Sequence, residues 1–175
     1  MDRESQLQLL LDHHRRPRHR GPMEDADVSV PGGNPGCGDL ITMHVKADAE
    51  GTRIERLSFE GEGCTLSQAA ASILAERFNT TRPLFGDVMD FSYEAMLDLL
   101  GREIVDARPR CATLALGTIK AAVRAIDINR KLRASGKTDE QIAALRKALQ
   151  DQAAGTGLVF GENAAAAAGD TSNHP

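Results

Sequence analysis

Tryptophan is absent from this 175-residue chain, tyrosine occurs once and phenylalanine five times. The core must therefore be built from leucine, isoleucine, valine and a large complement of alanine, and it is expected to be small. Long apolar runs are missing as well. None approaches the roughly 18–20 residues of a membrane span, so a chain that is 41% hydrophobic reads as one globular domain with appended segments. Met1 to Leu11 is polar and charged before a short apolar patch runs into Asp12-His13-His14-Arg15-Arg16, which is not the pattern of a secretory leader. The expected address is the cytoplasm. A net charge of −4 argues against nucleic acid as a partner, and no membrane partner is expected either. Cysteine is scarce too: there are three, an odd count that would leave one unpaired in any disulfide framework. In a reducing compartment, separated cysteines are more often ligands or nucleophiles than staples.

What is present has a clear order. Arg3 to His14 places Leu7, Leu10 and Leu11 at helical spacing and ends at Pro17, which predicts a short amphipathic helix. The basic run Arg15-Arg16-Pro17-Arg18-His19-Arg20-Gly21 follows, readable either as a solvated helix end or as a docking surface for an acidic partner. Pro22 to Gly36 reads as a loop. Leu40 to Lys46 alternates Ile41, Met43 and Val45 with Thr42, His44 and Lys46, and Arg53 to Glu60 carries Leu57 and Phe59 on one face. These two runs predict an antiparallel hairpin across Asp48-Ala49-Glu50-Gly51. Ile54 is out of phase with Leu57 and Phe59, so a bulge or a frayed start is expected there. His44, on the polar side of its strand, is expected in solvent rather than on a metal.

Beyond the hairpin the period becomes helical. Leu66, Ala69, Ala70, Ile73, Leu74 and Phe78 form one stripe, with Thr65 and Gln68 in capping-box spacing. Pro83 to Asp90 reads as a connection to a second helix that Ser92 opens and Gly101 ends, and a third, small-residue helix is expected from Ala112 to Ala134. Residues 1–134 are thus expected to form the domain, residues 135–152 a short C-terminal helix, and residues 153–175 a disordered tail. The alternative for the tail is a segment that folds on a partner through Leu158-Val159-Phe160.

The chemistry rests on Cys37, Asp39, Cys64 and Cys111. Cys37 lies between Gly36 and Gly38 with Asp39 two residues on, Cys64 precedes a helix, and Cys111 precedes another after Arg108-Pro109-Arg110. Three thiolates and a carboxylate complete a tetrahedral ligand set. The ligands would have to converge from positions 27 and 47 residues apart, so spacing alone indicates a metal or cluster site of composition Cys3Asp without naming the ion. Arg108 and Arg110 read as favouring the Cys111 thiolate, as steering an acidic surface, or simply as solvated.

Taken together, Leu11-Asp12-His13-His14-Arg15-Arg16-Pro17-Arg18-His19-Arg20-Gly21, Asn34-Pro35-Gly36-Cys37-Gly38-Asp39, Phe59-Glu60-Gly61-Glu62-Gly63-Cys64 with Leu66 to Ser72, and Arg110-Cys111-Ala112-Thr113-Leu114 resemble the iron–sulfur cluster assembly scaffold family of IscU, SufU and the N-terminal domain of NifU. The resemblance covers about residues 5–134 and is closest to the SufU branch. IscU proteins have a histidine immediately before the third cysteine and a Leu-Pro-Pro-Val-Lys chaperone-recognition stretch, whereas this chain reads Val105 to Arg110 there. The stretch between Cys64 and Cys111 is shorter than is usual in SufU.

The resemblance implies an α+β fold in which a small antiparallel β-sheet packs against helices. It implies Cys37, Asp39, Cys64 and Cys111 as ligands of zinc or of a [2Fe–2S] cluster, with a cysteine desulfurase and recipient apo iron–sulfur proteins as partners. Cys37 and Cys111 are the candidate persulfide acceptors. Whether the chain is a scaffold or a zinc-dependent sulfurtransferase, and hence whether it is an enzyme, is open at this point. A purely structural zinc module fits less well, because structural sites usually use closely spaced cysteine or histidine pairs.

Overall fold

Alternation of buried and exposed side chains builds the sheet. In the computed structural model, which describes residues 2–155, α1 (Arg3–Arg15) is followed by β1 (Val28–Asn34), β2 (Asp39–Ala47) and β3 (Ile54–Glu62), antiparallel in the order β1-β2-β3. Then come α2 (Thr65–Thr81), α3 (Phe85–Asp90), α4 (Tyr93–Leu100), α5 (Arg102–Val105), α6 (Pro109–Ala134) and α7 (Asp139–Gly155). Ile41, Met43 and Val45 from β2 and Leu57 and Phe59 from β3 point to one face and are almost completely buried. There they meet Leu74 of α2 and Leu116 and Ile119 of α6 in the shared core. Ala69, Ala70, Ala71 and Ala75 of α2 and Ala112, Ala115 and Ala122 of α6, all buried, let α2 and α6 pack closely on the sheet and on each other. With no tryptophan and few phenylalanines in the core, this close approach closes the interior.

The predicted hairpin is β2–β3, and the expected irregularity at Ile54 is a register shift between Lys46 and Ala47. The loop reading of Pro22 to Gly36 is corrected: Val28 to Asn34 forms β1, paired from Val28 with Val45 to Asn34 with Asp39. Ladder pairing is a backbone property, and at the sheet edge Pro31 is tolerated because its missing donor faces away from the neighbour. The Pro83 to Asp90 connection likewise contains the short α3. His44 is also corrected: it is 7% exposed, with Ser29 Oγ 2.7 Å from Nδ1 and Glu60 Oε2 3.0 Å from Nε2. Two polar neighbours satisfy both ring nitrogens, so the ring lies along the sheet instead of in water. The tail expected from residue 153 begins inside α7, and residues 156–175, with Leu158-Val159-Phe160, lie outside the described residues.

The C-terminal end of α1 is fastened to α2 by a polar cluster. His13, 2% exposed, has Ser72 Oγ 2.8 Å from Nδ1 and Glu76 3.5 Å from Nε2. The Arg18 backbone N–H donates to the same Ser72 Oγ at 2.7 Å, while the Arg18 guanidinium pairs with Asp12. Ser72 Oγ thus joins the Arg18 backbone to His13 Nδ1, while Nε2 faces Glu76. Burial, assisted by the Arg18 charge and opposed by Glu76 and Asp12, holds His13 below the ordinary histidine value. Between that lowered value and about 6.5, the unfolded chain binds more protons than the folded one. Stability is therefore full above that window and falls as pH is lowered through it. A His13→Gln variant is expected to show a smaller difference in Tm between pH 7.5 and pH 5.5 than the parent, measured by thermal melts in matched salt.

Candidate metal centre

Three separate segments converge at one end of the sheet. The first is the turn joining β1 to β2. Asn34 and Asp39 face each other across the ladder, and the Cys37 N–H donates to the Asn34 carbonyl at 3.0 Å, closing a β-turn with Pro35 at its favoured second position. Gly38 then takes φ +68° and the chain enters β2. Cys37 is left exposed on the turn, while Asp39, the first residue of β2, is 0% exposed.

The second segment is the β3–α2 junction. Cys64, half-buried, is the N-cap of α2, and its sulfur accepts the Ser67 N–H at 3.5 Å. The Thr65/Gln68 capping box expected from the sequence is replaced by this cysteine cap. Gln68 instead donates to the Gly61 carbonyl at 3.4 Å. The Cys64 N–H donates to Asp39 Oδ1 at 2.7 Å, and its sulfur lies 3.9 Å from Oδ2. Gly63 makes this approach possible: a Cβ there would lie 2.8 Å from Asp39 Oδ1 and 2.5 Å from Ser67 Oγ, below any real contact.

The third segment is α6. Pro109 occupies its first turn, where a missing N–H costs nothing. Cys111 accordingly sits inside the first turn of the helix, not ahead of it as the sequence suggested. It is 1% exposed. Its thiol donates to Cys37 Sγ at 3.3 Å and accepts from Asn34 Nδ2 at 3.4 Å. Burial, then hydrogen bonding with Asp39 and Cys37 and the neighbouring Cys64 charge, push the Cys111 thiol well above the ordinary cysteine range. Arg108 and Arg110 are both exposed, and neither forms an ion pair among the described residues.

One ligand atom each from Cys37, Asp39 and Cys111 lies within 4.8 Å of the others. A tetrahedral ion with sulfur at about 2.3 Å needs sulfur–sulfur separations of about 3.8 Å, so the 3.3 Å pair requires an opening of roughly half an ångström. Cys64 is outside this trio but beside it, its thiol directed at Asp39 Oδ2 at 3.9 Å. Three thiols around one buried carboxylate suit a thiophilic divalent ion or iron. Because Cys111 is held as a thiol, such an ion must displace its proton on binding. Asn34, Gly63 and Ser67 complete the setting; the sequence motifs contain all three but assign them no role.

Among the described residues no helix is long and apolar enough to cross a membrane. Residues 6–133 match the model of the NifU-like N terminal domain. The chain is 33% identical over 131 residues to the zinc-dependent sulfurtransferase SufU of Bacillus subtilis (strain 168), covering 66% of this chain and 87% of that protein. It is 26% identical over 151 residues to the iron-sulfur cluster assembly scaffold protein IscU of Streptococcus pyogenes serotype M1, covering 78% and 90%. Its fold is similar to that of FiSufU from the thermophile Fervidobacterium islandicum AW-1, with a TM-score of 0.57 at 22% identity over 66% of this chain and 93% of the other. A family match over most of the chain, together with the sheet, the helices and the cysteines on the three junctions, leads to one conclusion: this protein belongs to the NifU-like N-terminal domain family, whose relatives include SufU and IscU.

Proposed function

We propose that this chain is an iron–sulfur cluster assembly protein: it accepts persulfide sulfur from a cysteine desulfurase and assembles or relays it at a metal site formed by Cys37, Asp39, Cys64 and Cys111. The observation that carries this reading is the convergence of three thiols on one buried carboxylate, with Cys37 exposed and Cys111 and Asp39 buried. A closed structural site would bury all its sulfurs. The exposed Cys37 is the sulfur a partner's persulfide can reach. Its thiolate attacks the terminal sulfur of the donor persulfide, a new S–S bond forms on Cys37, the donor's S–S bond breaks, and the donor cysteine leaves as a thiolate. The cargo is then a transient [2Fe–2S] cluster destined for recipient apo iron–sulfur proteins in the cytoplasm. Residues 1–134 act as the working domain, with α7 (Asp139–Gly155) as an added helix.

A second reading, a zinc-dependent sulfurtransferase that stimulates the desulfurase without holding a cluster, draws support from the relative of that name at 33% identity. Metal content and colour on purification separate the two: colourless protein with zinc supports the sulfurtransferase, and brown protein with iron and sulfide supports the scaffold. In either case Cys37→Ala is expected to abolish persulfide capture in a desulfurase assay, and an unchanged rate would overturn the relay.

Asp39 bears on release of the cargo. A carboxylate is a harder, weaker partner for iron than a fourth thiolate, so a Cys3Asp site holds a cluster loosely. Asp39→Ala is expected to lengthen the half-life of a reconstituted cluster, followed by its visible absorbance in air, without abolishing its binding. A half-life equal to that of the parent would contradict this role.

A further inference from the structure

Asn34 touches more of the site than any residue outside the ligand set. Its backbone carbonyl accepts the Cys37 N–H at 3.0 Å, it pairs across the ladder with Asp39, and its side-chain Nδ2 lies 3.4 Å from Cys111 Sγ. It is 7% exposed, so this amide has been withdrawn from water to face a sulfur. The orientation is internally consistent. The Cys111 hydrogen is directed at Cys37 Sγ, which leaves the Cys111 lone pairs toward Asn34, and the amide nitrogen is the end that can donate to them.

The three sulfurs are consequently not equivalent. Cys64 receives the Ser67 backbone N–H and Cys111 receives the Asn34 side chain. Among the described residues the Cys37 sulfur has no nitrogen donor and is the exposed one. An N–H donated to a metal-bound thiolate draws electron density from it, which steadies the metal–sulfur bond and blunts that sulfur as a nucleophile. The geometry points to Asn34 as a positioning residue that fixes Cys111 as the retained ligand and leaves Cys37 as the sulfur free to react. This inference rests on the metal-site reading proposed above.

The test compares the parent with Asn34→Leu, which keeps the side-chain branching without the N–H, and Asn34→Ala, with the fold of each verified by circular dichroism. In zinc-loaded protein treated with limiting iodoacetamide and mapped by peptide mass spectrometry, the parent is expected to be labelled first at Cys37. The variants are expected to show a several-fold higher ratio of Cys111 to Cys37 labelling. In the Co(II)-loaded protein the sulfur-to-metal charge-transfer band should move to longer wavelength in both variants. Zinc affinity, read by competition with a chromophoric chelator, should fall by roughly 10–100-fold, the usual effect of losing a partner of a metal ligand. An unchanged labelling ratio in folded variants would overturn the inference. So would an unchanged band with affinity within twofold of the parent. If the parent bound neither Co(II) nor zinc, the metal-site reading would fail and the role of Asn34 with it, whereas a parent that binds both and variants that keep its labelling ratio would overturn the role of Asn34 alone.

Discussion

Cys111→Ala is expected to purify folded but to lose tight metal binding and, with it, every activity that depends on the metal. Cys111 supplies the buried sulfur of the site, the one whose direction is fixed by the first turn of α6 and by Asn34. Structural zinc sites with four protein ligands bind with apparent free energies of about 10–16 kcal/mol. Losing one of four ligands is therefore expected to cost about 3 kcal/mol, roughly two orders of magnitude in affinity. The fold should survive, because the cavity left by one sulfur is small and α6 packs mainly through Ala115, Leu116 and Ile119 further along the helix. Chelator competition and circular dichroism separate the two effects. A variant that keeps the parent's zinc affinity would remove Cys111 from the site, and one that unfolds would mark it as a core residue. Cys37→Ala differs in kind: Cys37 is exposed on the turn, and its loss should fall on sulfur capture.

Gly61→Ala is expected to produce the largest loss of stability near the site. Gly61 stands at φ +129°, and a Cβ there would lie 2.1 Å from the Leu40 carbonyl oxygen and 3.0 Å from Ile41 Cα. Both are backbone atoms of the neighbouring strand, so no rotamer change relieves the collision. Leu40 pairs with Glu62, and Ile41 with Gly61 itself, so the strain is delivered to the strand that begins with Asp39. Backbone strain together with a displaced strand puts the cost on the order of 3 kcal/mol, a fall in Tm of roughly 6–12 °C for a chain of this size. The Gly61 carbonyl also accepts from Arg20 Nη2 at 2.9 Å and from Gln68, so the same change disturbs the link between the basic run after α1 and the loop bearing Cys64. Chemical denaturation of parent and variant measures the cost. A shift below 1 kcal/mol would show that the junction can relax where the structure holds it rigid.

Legibility from the sequence followed the physics of each element. Ile41-Thr42-Met43-His44-Val45 announced a half-buried strand because one face of the sheet is covered and the other is open. The Leu66 to Phe78 stripe announced α2 for the same reason. Val28 to Asn34 was not legible as a strand: Pro31, Gly32 and Gly33 carry no side-chain alternation, and its pairing is supplied by β2. His44 was misread because a polar residue at an outward position normally meets water, and nothing local revealed that Ser29 and Glu60 would satisfy it. Of the site, the four chemical residues stood out because cysteine is rare in the chain and each one falls beside a Gly or Pro signal. Their partners did not. The contact of Asn34 with Cys111 joins residues 77 apart, and the Cys64 cap looked like a Thr65 cap because sulfur is seldom the capping atom.

The account stands or falls on whether Cys37, Asp39, Cys64 and Cys111 act on one ion. Zinc-edge X-ray absorption on the zinc-loaded full chain tests this most directly. The predicted result is a single zinc per chain with three sulfurs at about 2.3 Å and one oxygen at about 2.0–2.2 Å, the oxygen being lost in Asp39→Ala and one sulfur in each cysteine variant. A first shell dominated by nitrogen or oxygen, or one unaffected by these substitutions, would contradict it.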